Sequence, residues 1–388
     1  MTETADIVIV GGGPVGAALA LALQPKGLDV LSLEARAAEA PALVAADERP
    51  LALSHGSRLI LERLGVWSSL ANATPIVRIH VSQAGGFGRV LLDARDDGLP
   101  AYGYVVPYGA LLRALTQAVQ QRVPRYRLGA RVTSVQADSA SASVDYARDG
   151  GVTDTVTASL AVVAEGGALV AGADIVTRDY GQTAVTARVS AECSHGGVAY
   201  ERFTRHGPLA LLPLGPDMAL IWTTTPEHAG ELAEMPEREF LAALQKEFGQ
   251  RLGTFTSTTP RGVYPLILKY ARRITLPRTV LIGNAAQTLH PVAGQGFNLG
   301  LRDAWELAEE IAGCEPESLG GADMLRRVQG RRRIDRTASI RFTDTLVRVF
   351  SNEVAPLRVV RGLGLAALDQ LPMLKSFLAR RMTFGVRG

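Results

Sequence analysis

The chain of 388 residues has only two cysteines, Cys193 and Cys314. They stand alone, without C-x-x-C or metal-ligand spacing, so a disulfide framework and a cysteine-held zinc are excluded and two core thiols in a reducing cytosol are expected. Charge is modest: Asp, Glu, Lys and Arg make up 20% of the residues against 47% hydrophobic ones, a balance that excludes disorder. No run of about 18 apolar residues free of charge occurs, so no membrane-spanning helix is expected. A first strand beginning near Asp6 leaves no room for a secretory signal, and a cytoplasmic location follows as an expectation. Internal repeats and low-complexity segments are lacking. So are a nucleophile triad, a carboxylate pair and a metal-ligand cluster, and no metal is expected.

The charge that is present is unevenly placed. From Arg326 onward there are 14 Lys and Arg against 4 Asp and Glu, a net of +10 in a chain of +3, which leaves −7 for residues 1–325. Nucleic acid would ask for stacking aromatics among the basic residues. Here the arginines alternate with Phe350, Val354, Leu357, Val360, Leu363 and Leu368 at roughly helical spacing, which suits an anionic membrane surface or a partner protein instead. A helical region packed on its own protein is the alternative.

A chain of this length exceeds what one hydrophobic core supports, so two packed units are expected. Asp6-Ile7-Val8-Ile9-Val10 reads as a buried strand. It runs straight into Gly11-x-Gly13-Pro14-x-Gly16, then an Ala/Leu-rich helix to about Gln24, then a strand closed by Glu34. In that context the glycines let a backbone approach a pyrophosphate, the helix N-terminus supplies amide donors, and Glu34 accepts the ribose hydroxyls. Helices are expected over 57–65, 111–121 and 236–248, strands over 76–106 and 128–163, and a mostly antiparallel sheet over 172–266. Residues 300–388 read as helical, with breaks at Pro316, Pro356 and Pro372.

A second strand–glycine–helix segment follows at Ile282-Gly283-Asn284 through Pro291-Val292-Ala293-Gly294-Gln295-Gly296-Phe297-Asn298 to Asp303. Two such segments at opposite ends of the chain suggest one extended dinucleotide held from both sides. The new helix would point its amides at the pyrimidine edge of a flavin and favour negative charge there. The small residues from Pro291 to Gly294 would line the ring. The cofactor expected is FAD.

Together these segments resemble the single-component FAD-dependent aromatic hydroxylases of the para-hydroxybenzoate hydroxylase type, over nearly the whole chain. The closest branch is that of the ubiquinone-biosynthesis hydroxylases, the 2-polyprenyl-6-methoxyphenol hydroxylase (UbiH) group. Gly283-Asn284 followed by Ala285-Ala286-Gln287-Thr288-Leu289-His290-Pro291 carries that resemblance, as does Glu201-Arg202-Phe203 through Pro208-Leu209-Ala210-Leu211-Leu212-Pro213-Leu214. The resemblance implies an α/β fold (α+β overall): a Rossmann-like FAD-binding domain, an inserted mostly antiparallel substrate sheet and a helical C-terminal region. The ranges expected are 1–75, 101–171 and 267–335 for the FAD-binding domain, 76–100 and 172–266 for the substrate domain, and 336–388 for the basic region. It further implies that NAD(P)H reduces FAD, that O2 then forms a flavin C4a-hydroperoxide, and that a polyprenylated phenol is hydroxylated.

Residue by residue, the resemblance places Arg49 at the FAD pyrophosphate and Glu165-Gly166 where the family has an Asp-Gly pair beside FAD. Asn284 stands for a family Asp at the ribityl chain or a phosphate, and Tyr108 where relatives have Arg or Gln. His290 and Pro291 are candidates for the chemistry, His290 either as a base for the phenol or as a structural hydrogen-bonder. Leu211, Pro213 and Tyr264 are candidates for the substrate wall, with core packing as the alternative. A lipid-linked phenol would be drawn from a membrane or from other ubiquinone-biosynthesis proteins, which gives the basic region a purpose and a location peripheral to the inner membrane.

Overall fold

The computed structural model describes the chain except residues 1–2, 38–47, 149–150, 166–168, 171, 290–293, 351–354 and 386–388, and the side chains of 347–350 and 355–358. Its first sheet starts from the apolar run near the N-terminus. In the strand Glu3–Val10, Ile7 through Val10 are fully buried, which is what a strand covered on both faces by helices requires. It pairs in parallel with Thr153–Val163 on one side and Val30–Leu33 on the other, Val8 lying opposite both Ala161 and Leu31. Thr279–Leu281 extends the sheet beyond Thr153–Val163, and Arg125–Arg127 extends it beyond Val30–Leu33, both in parallel. Arg131–Ala137 and Ala142–Ala147 add an antiparallel hairpin to the long strand. The expected return of the chain to the first unit at 279–283 is thus a strand added to a Rossmann-like sheet, with Thr275–Leu276 paired antiparallel on its outer side.

Helix Pro14–Leu23 and helix Gln295–Ala312 cover this sheet. The second is strongly amphipathic: Leu299, Leu301, Ala304, Leu307, Ala308 and Ile311 face the core. A small three-stranded sheet of Pro50–Ser54, Gly103–Pro107 and Thr74–Ile76 lies alongside, with helices His55–Arg63 and Tyr108–Arg122.

The inserted unit is a nine-stranded sheet. Its spine runs Gly262–Ala271, Ile175–Ala191, Asp217–Thr224, Pro208–Leu214, Val198–Phe203, Arg78–Gln83 and Arg89–Asp93. All these pairs are antiparallel except Val198–Phe203 with Arg78–Gln83. Helices Pro226–Glu234 and Glu237–Phe248 seal one face, the first through Ala229 and Leu232 and the second through Phe240, Leu244 and Phe248, in one cluster with Val185, Leu209, Leu211, Leu220 and Trp222. The first of these helices was not legible in the Thr-rich stretch around it.

Three long helices end the chain: Ala322–Phe350, Ala355–Asp369 and Pro372–Phe384. The expected division at 335/336 falls inside the first of them, because its 29 residues run on without a breaker. The divisions at 75/76 and 266/267 likewise fall inside the strands Thr74–Ile76 and Gly262–Ala271. Helix Pro372–Phe384 packs on the flavin-side helix His55–Arg63, where a Cβ on Gly56 would sit 2.7 Å from the Thr383 carbonyl oxygen. Much of the C-terminal region is therefore bound to its own protein.

Candidate active site

The first glycine turn is built by close approach. Gly11 has φ +100°, and a Cβ there would meet the backbone nitrogen of Glu165 at 3.1 Å. A Cβ on Gly16 would lie 1.9 Å from the Gly11 carbonyl oxygen, inside van der Waals contact. Gly13 meets nothing within 4 Å and faces open space. Helix Pro14–Leu23 then starts with no side-chain cap on Gly13, and helix Gln295–Ala312 starts with none on Gly294. Neither first turn is capped by a side chain of its N-cap residue, an arrangement that suits binding of an anion or a flavin carbonyl. The two segments also touch: a Cβ on Gly283 would meet the Val15 side chain at 3.1 Å, and one on Gly300 would meet the Gly283 Cα at 3.0 Å. The expectation of one ligand held from both ends thus has a physical basis, and the cradle fits a flavin dinucleotide.

Glu34 is buried at the end of its strand. Its carboxylate accepts the Gly12 amide at 2.6 Å and the Arg36 Nε at 2.8 Å. Burial works to raise its pKa, yet the hydrogen bonds and charge of Arg36 outweigh that and hold it below the usual carboxylate range. It is ionised at neutral pH, as a ribose acceptor must be. Burial and the Glu34 charge push the neighbouring Tyr126 hydroxyl up to about 12. Neither Arg36 nor Tyr126 was picked out from the sequence, although Arg36 lies two residues past the acid on the exit of the same strand.

A buried ionic network holds the second turn. Asp303 accepts the Gly283 amide at 3.3 Å, Gln287 Nε2 at 2.6 Å and Arg332 Nε at 2.8 Å. Arg336 donates to Gln287 Oε1 at 2.6 Å and to the carbonyls of Ala271 and Ala286. Asp335 joins Arg332 at 3.0 Å and Arg302 at 2.9 Å. Burial opposes the charge on Arg332, but Asp303, Glu306 and Asp335 outweigh it and hold its pKa above the ordinary value. Two arginines counted in the basic tail are therefore structural cations beneath the flavin turn. Gln287, whose place in the segment helped select the family branch, bridges Asp303 and Arg336.

The remaining expected residues divide. Asn284 is exposed on the turn Gly283–Ala285. Gly294, with φ +59°, Gly296 and Phe297 line a cavity of about 460 Å³; Gln295 donates to the Met382 carbonyl. Asn298 spends its whole amide internally: Nδ2 donates to Ala52 and Gly294 carbonyls, and Oδ1 accepts from the Ser54 amide and Ser57 hydroxyl. Its side chain fixes the turn rather than reaching a ligand. Arg49 lies over the Tyr108 ring at 5.0 Å and the Tyr264 ring at 5.9 Å. Tyr264 therefore stacks on an arginine and does not line the cavity. Gly166, His290 and Pro291 lie outside the described residues.

Leu211 and Pro213 also need correction as substrate wall. Side chains alternate along a strand, and Leu211 belongs to the opposite face, packed with Leu209 against the helices. The cavity wall is the other parity: Pro208, Ala210 and Leu212, with Ala199, Glu201 and Phe203 on the next strand. Phe342, Leu365, Leu368, Leu378 and Met382 of the C-terminal helices close the cavity opposite the sheet.

Such a sheet-and-helix framework, with a dinucleotide cradle opening onto an apolar chamber, defines a flavin-dependent monooxygenase. A family model described as FAD binding domain matches residues 4–333, and the chain belongs to the FAD-dependent hydroxylases of the UbiH/COQ6 type. It is 36% identical to the ubiquinone hydroxylase UbiL of Rhodospirillum rubrum, over 97% of this chain and 89% of that one. With 3-demethoxyubiquinol 3-hydroxylase of Escherichia coli it shares 32% identity, over 96% and 97%. With the human ubiquinone biosynthesis monooxygenase COQ6 it shares 30%, over 95% and 90%. The crystal structure of p-nitrophenol 4-monooxygenase PnpA from Pseudomonas putida superposes with a TM-score of 0.79 over all of both chains at 16% identity, a likeness of fold.

Two glycines separate folding from binding. Gly16→Ala is expected to prevent correct packing of the first helix, giving insoluble or FAD-free protein, since the Gly11 carbonyl has nowhere to go. Gly13→Ala is expected to fold with an unchanged circular dichroism spectrum yet lose flavin, because its methyl meets no protein atom and enters only the open space at the start of the helix. A yellow Gly13→Ala holoprotein with native affinity in a fluorescence titration would show that the pyrophosphate lies elsewhere.

Proposed function

We propose that this protein hydroxylates the aromatic ring of a polyprenylated phenol in ubiquinone biosynthesis, with 2-polyprenyl-6-methoxyphenol as the substrate. The observation that carries this reading is the cavity. It is lined almost wholly by aliphatic and aromatic carbon, and it abuts Leu289, Gly294, Gly296 and Phe297 of the flavin segment. A volume of about 460 Å³ suits an aromatic head group with the start of its tail; a long polyprenyl chain must leave between the C-terminal helices.

Bound FAD, reduced by NAD(P)H, supplies the activation of O2. The chain's own part is placement and exclusion of water. The uncapped helix starts hold the cofactor, Asn298 fixes the turn against Pro50–Ser54, and the apolar walls orient the ring and keep the site dry.

Outside the cavity, Val360, Leu363, Met373 and Phe377 are exposed, Met373 at 90%, and Arg381 lies over the Phe377 ring. Among the described residues no helix is long and apolar enough to cross a membrane. These two helices therefore suit a peripheral role, resting on an anionic membrane surface from which the substrate enters. Of the tail residues expected to do this, Val360 and Leu363 face outward, whereas Leu368 lines the cavity. The side chains of Phe350, Val354 and Leu357 lie outside the described set.

The direct test supplies holoenzyme with NAD(P)H, O2 and a short-chain polyprenyl phenol, and identifies the product by mass and ring position. Consumption of O2 without a hydroxylated product would point instead to reduction of a lipid, and quinone synthesis that persists in a variant without bound FAD would point to a scaffold role. Truncation after residue 345 retains Arg332 and Arg336 but removes Leu365, Leu368, Leu378 and Met382. It is expected to keep FAD while losing hydroxylation and association with anionic vesicles. Unchanged vesicle flotation would remove the membrane role from these helices.

A further inference from the structure

Among the described residues, one wall residue of the cavity is charged. Glu201 sits mid-strand in Val198–Phe203, opposite Ala210 on one side and Val81 on the other. Ala199, Phe203, Ile79 and Leu212 surround it on the same face. Among the described residues lining the cavity, it alone carries a charge, and Thr223 is the other polar side chain turned inward; the Tyr200 ring packs on Phe248 across the sheet. Glu201 Oε1 is buried with no hydrogen-bond partner, and no ion pair is formed by Glu201 among the described residues. Its remaining accessible surface therefore faces the chamber.

Among the described residues nothing nearby relieves this. On its own strand Arg202 turns to the opposite face, donating to the Glu247 carbonyl and the Ser82 hydroxyl. His80, on the adjacent strand, meets the Tyr200 ring at a tilt of 50° on that far side, and Arg89 and Arg251 lie on that side as well. From the helices opposite, Asp344 pairs with Arg178, and Arg361 is buried and already engaged. Burial alone pushes the Glu201 carboxyl up to about 7.

An unpartnered carboxyl in a dry chamber is costly unless a ligand completes it. The ligand must bring a hydrogen-bond donor on an otherwise apolar body. A phenol with a prenyl tail is such a molecule. Resting on the reading of this protein as a phenol hydroxylase, we infer that Glu201 is the catalytic base that accepts the phenolic proton of the substrate. The phenol O–H bond breaks as a carboxyl O–H bond forms, and the electron pair stays on the phenolate oxygen. That pair raises electron density at the ring carbons ortho and para to it, where the oxygen atom is received. The ring carbon then loses its own proton as aromaticity returns, and Glu201 gives its proton back to the phenolate oxygen. Overall, the phenol, O2, NAD(P)H and a proton yield the hydroxylated phenol, NAD(P)⁺ and water. A base with this environment is half ionised near neutral pH, where general-base catalysis is most efficient. The base first sought at His290 is thus assigned to the substrate sheet.

The test uses FAD-loaded wild type, Glu201→Gln and Glu201→Asp with a short-chain prenyl phenol and its methyl ether. In wild type, kcat/KM is expected to rise with pH through about 7, as the carboxylate form appears. Glu201→Gln is expected to lose about 10²- to 10⁴-fold and the pH dependence, with FAD content and NAD(P)H-driven flavin reduction unchanged. Glu201→Asp is expected to recover part of the rate and keep a rising profile. Without turnover, infrared difference spectra of wild type are expected to show a protonated carboxyl band at pH 6 that fades by pH 8.5, is absent in Glu201→Gln, and shifts when the phenol binds but not when the ether does. Glu201→Gln hydroxylating at the wild-type rate with an unaltered profile would overturn the assignment while leaving the phenol hydroxylase reading in place. Failure of wild type to hydroxylate any prenyl phenol, with the infrared shift present, would overturn the reaction and keep the phenol contact. An infrared band indifferent to phenol would remove Glu201 from the site.

Discussion

Arg332→Ala is expected to lower stability by about 3–5 kcal/mol, the cost of stranding buried partner charges. Arg332 binds Asp303, Glu306 and Asp335, and both Arg332 and Asp303 are only 2% exposed. Removing the guanidinium leaves acids in the core beneath the second glycine turn, and Asp303 no longer holds the Gly283 amide in place. Flavin should be lost along with stability. Arg331, the neighbouring residue, pairs with Glu306 and Glu309 at a more accessible site, and Arg331→Ala is expected to cost no more than about 1 kcal/mol. Urea unfolding of both variants, followed by flavin fluorescence, makes the comparison. Equal costs would mean that the network does not support the turn.

Adjacent residues of one strand are expected to give opposite phenotypes. Ala210→Trp projects an indole into the chamber, so hydroxylation should fall to background while FAD binding and melting temperature stay near wild type. Leu211→Ala opens a hole on the far face against Phe240 and Leu244, which should cost about 2–5 kcal/mol in stability and leave the substrate KM nearly unchanged. Steady-state kinetics and thermal unfolding read both. An Ala210→Trp protein with normal turnover would place the substrate outside this cavity.

That contrast also shows what the sequence made visible. The first strand, the glycines after it and Glu34 are a local pattern, in which each residue type has one physical use at its position. The second glycine segment was legible for the same reason. The run Leu209-Ala210-Leu211-Leu212-Pro213-Leu214 was not, because it is apolar on both faces: one face packs on helices and the other lines a cavity. Where the period of two has no polar partner, parity cannot be read, and the substrate wall was assigned one residue out of step. Glu201 was the signal that would have set it, as an acid whose face marks the chamber. The arginines from Arg326 onward were read as one basic surface because charge counts carry no record of long-range pairing. Arg332 and Arg336 find their acids and carbonyls on segments that composition cannot bring near them.

The parallel sheet has a consequence in time. Gly13 leaves the ribosome some 270 residues before Gly283, a delay on the order of tens of seconds at ordinary synthesis rates. Throughout it, Thr153–Val163 has no Thr279–Leu281 beside it, the Val15 side chain has no Gly283 to rest on, and Asp303 and Arg332 do not yet exist. The nascent chain must therefore carry a half-built nucleotide cradle while the whole inserted sheet is made. A site that FAD can occupy exists only once Gly283, Asp303 and Arg332 have been made, and from then on bound flavin stabilises the fold by mass action. For this protein the cofactor is a late clasp on a sheet already assembled, not a seed around which it folds.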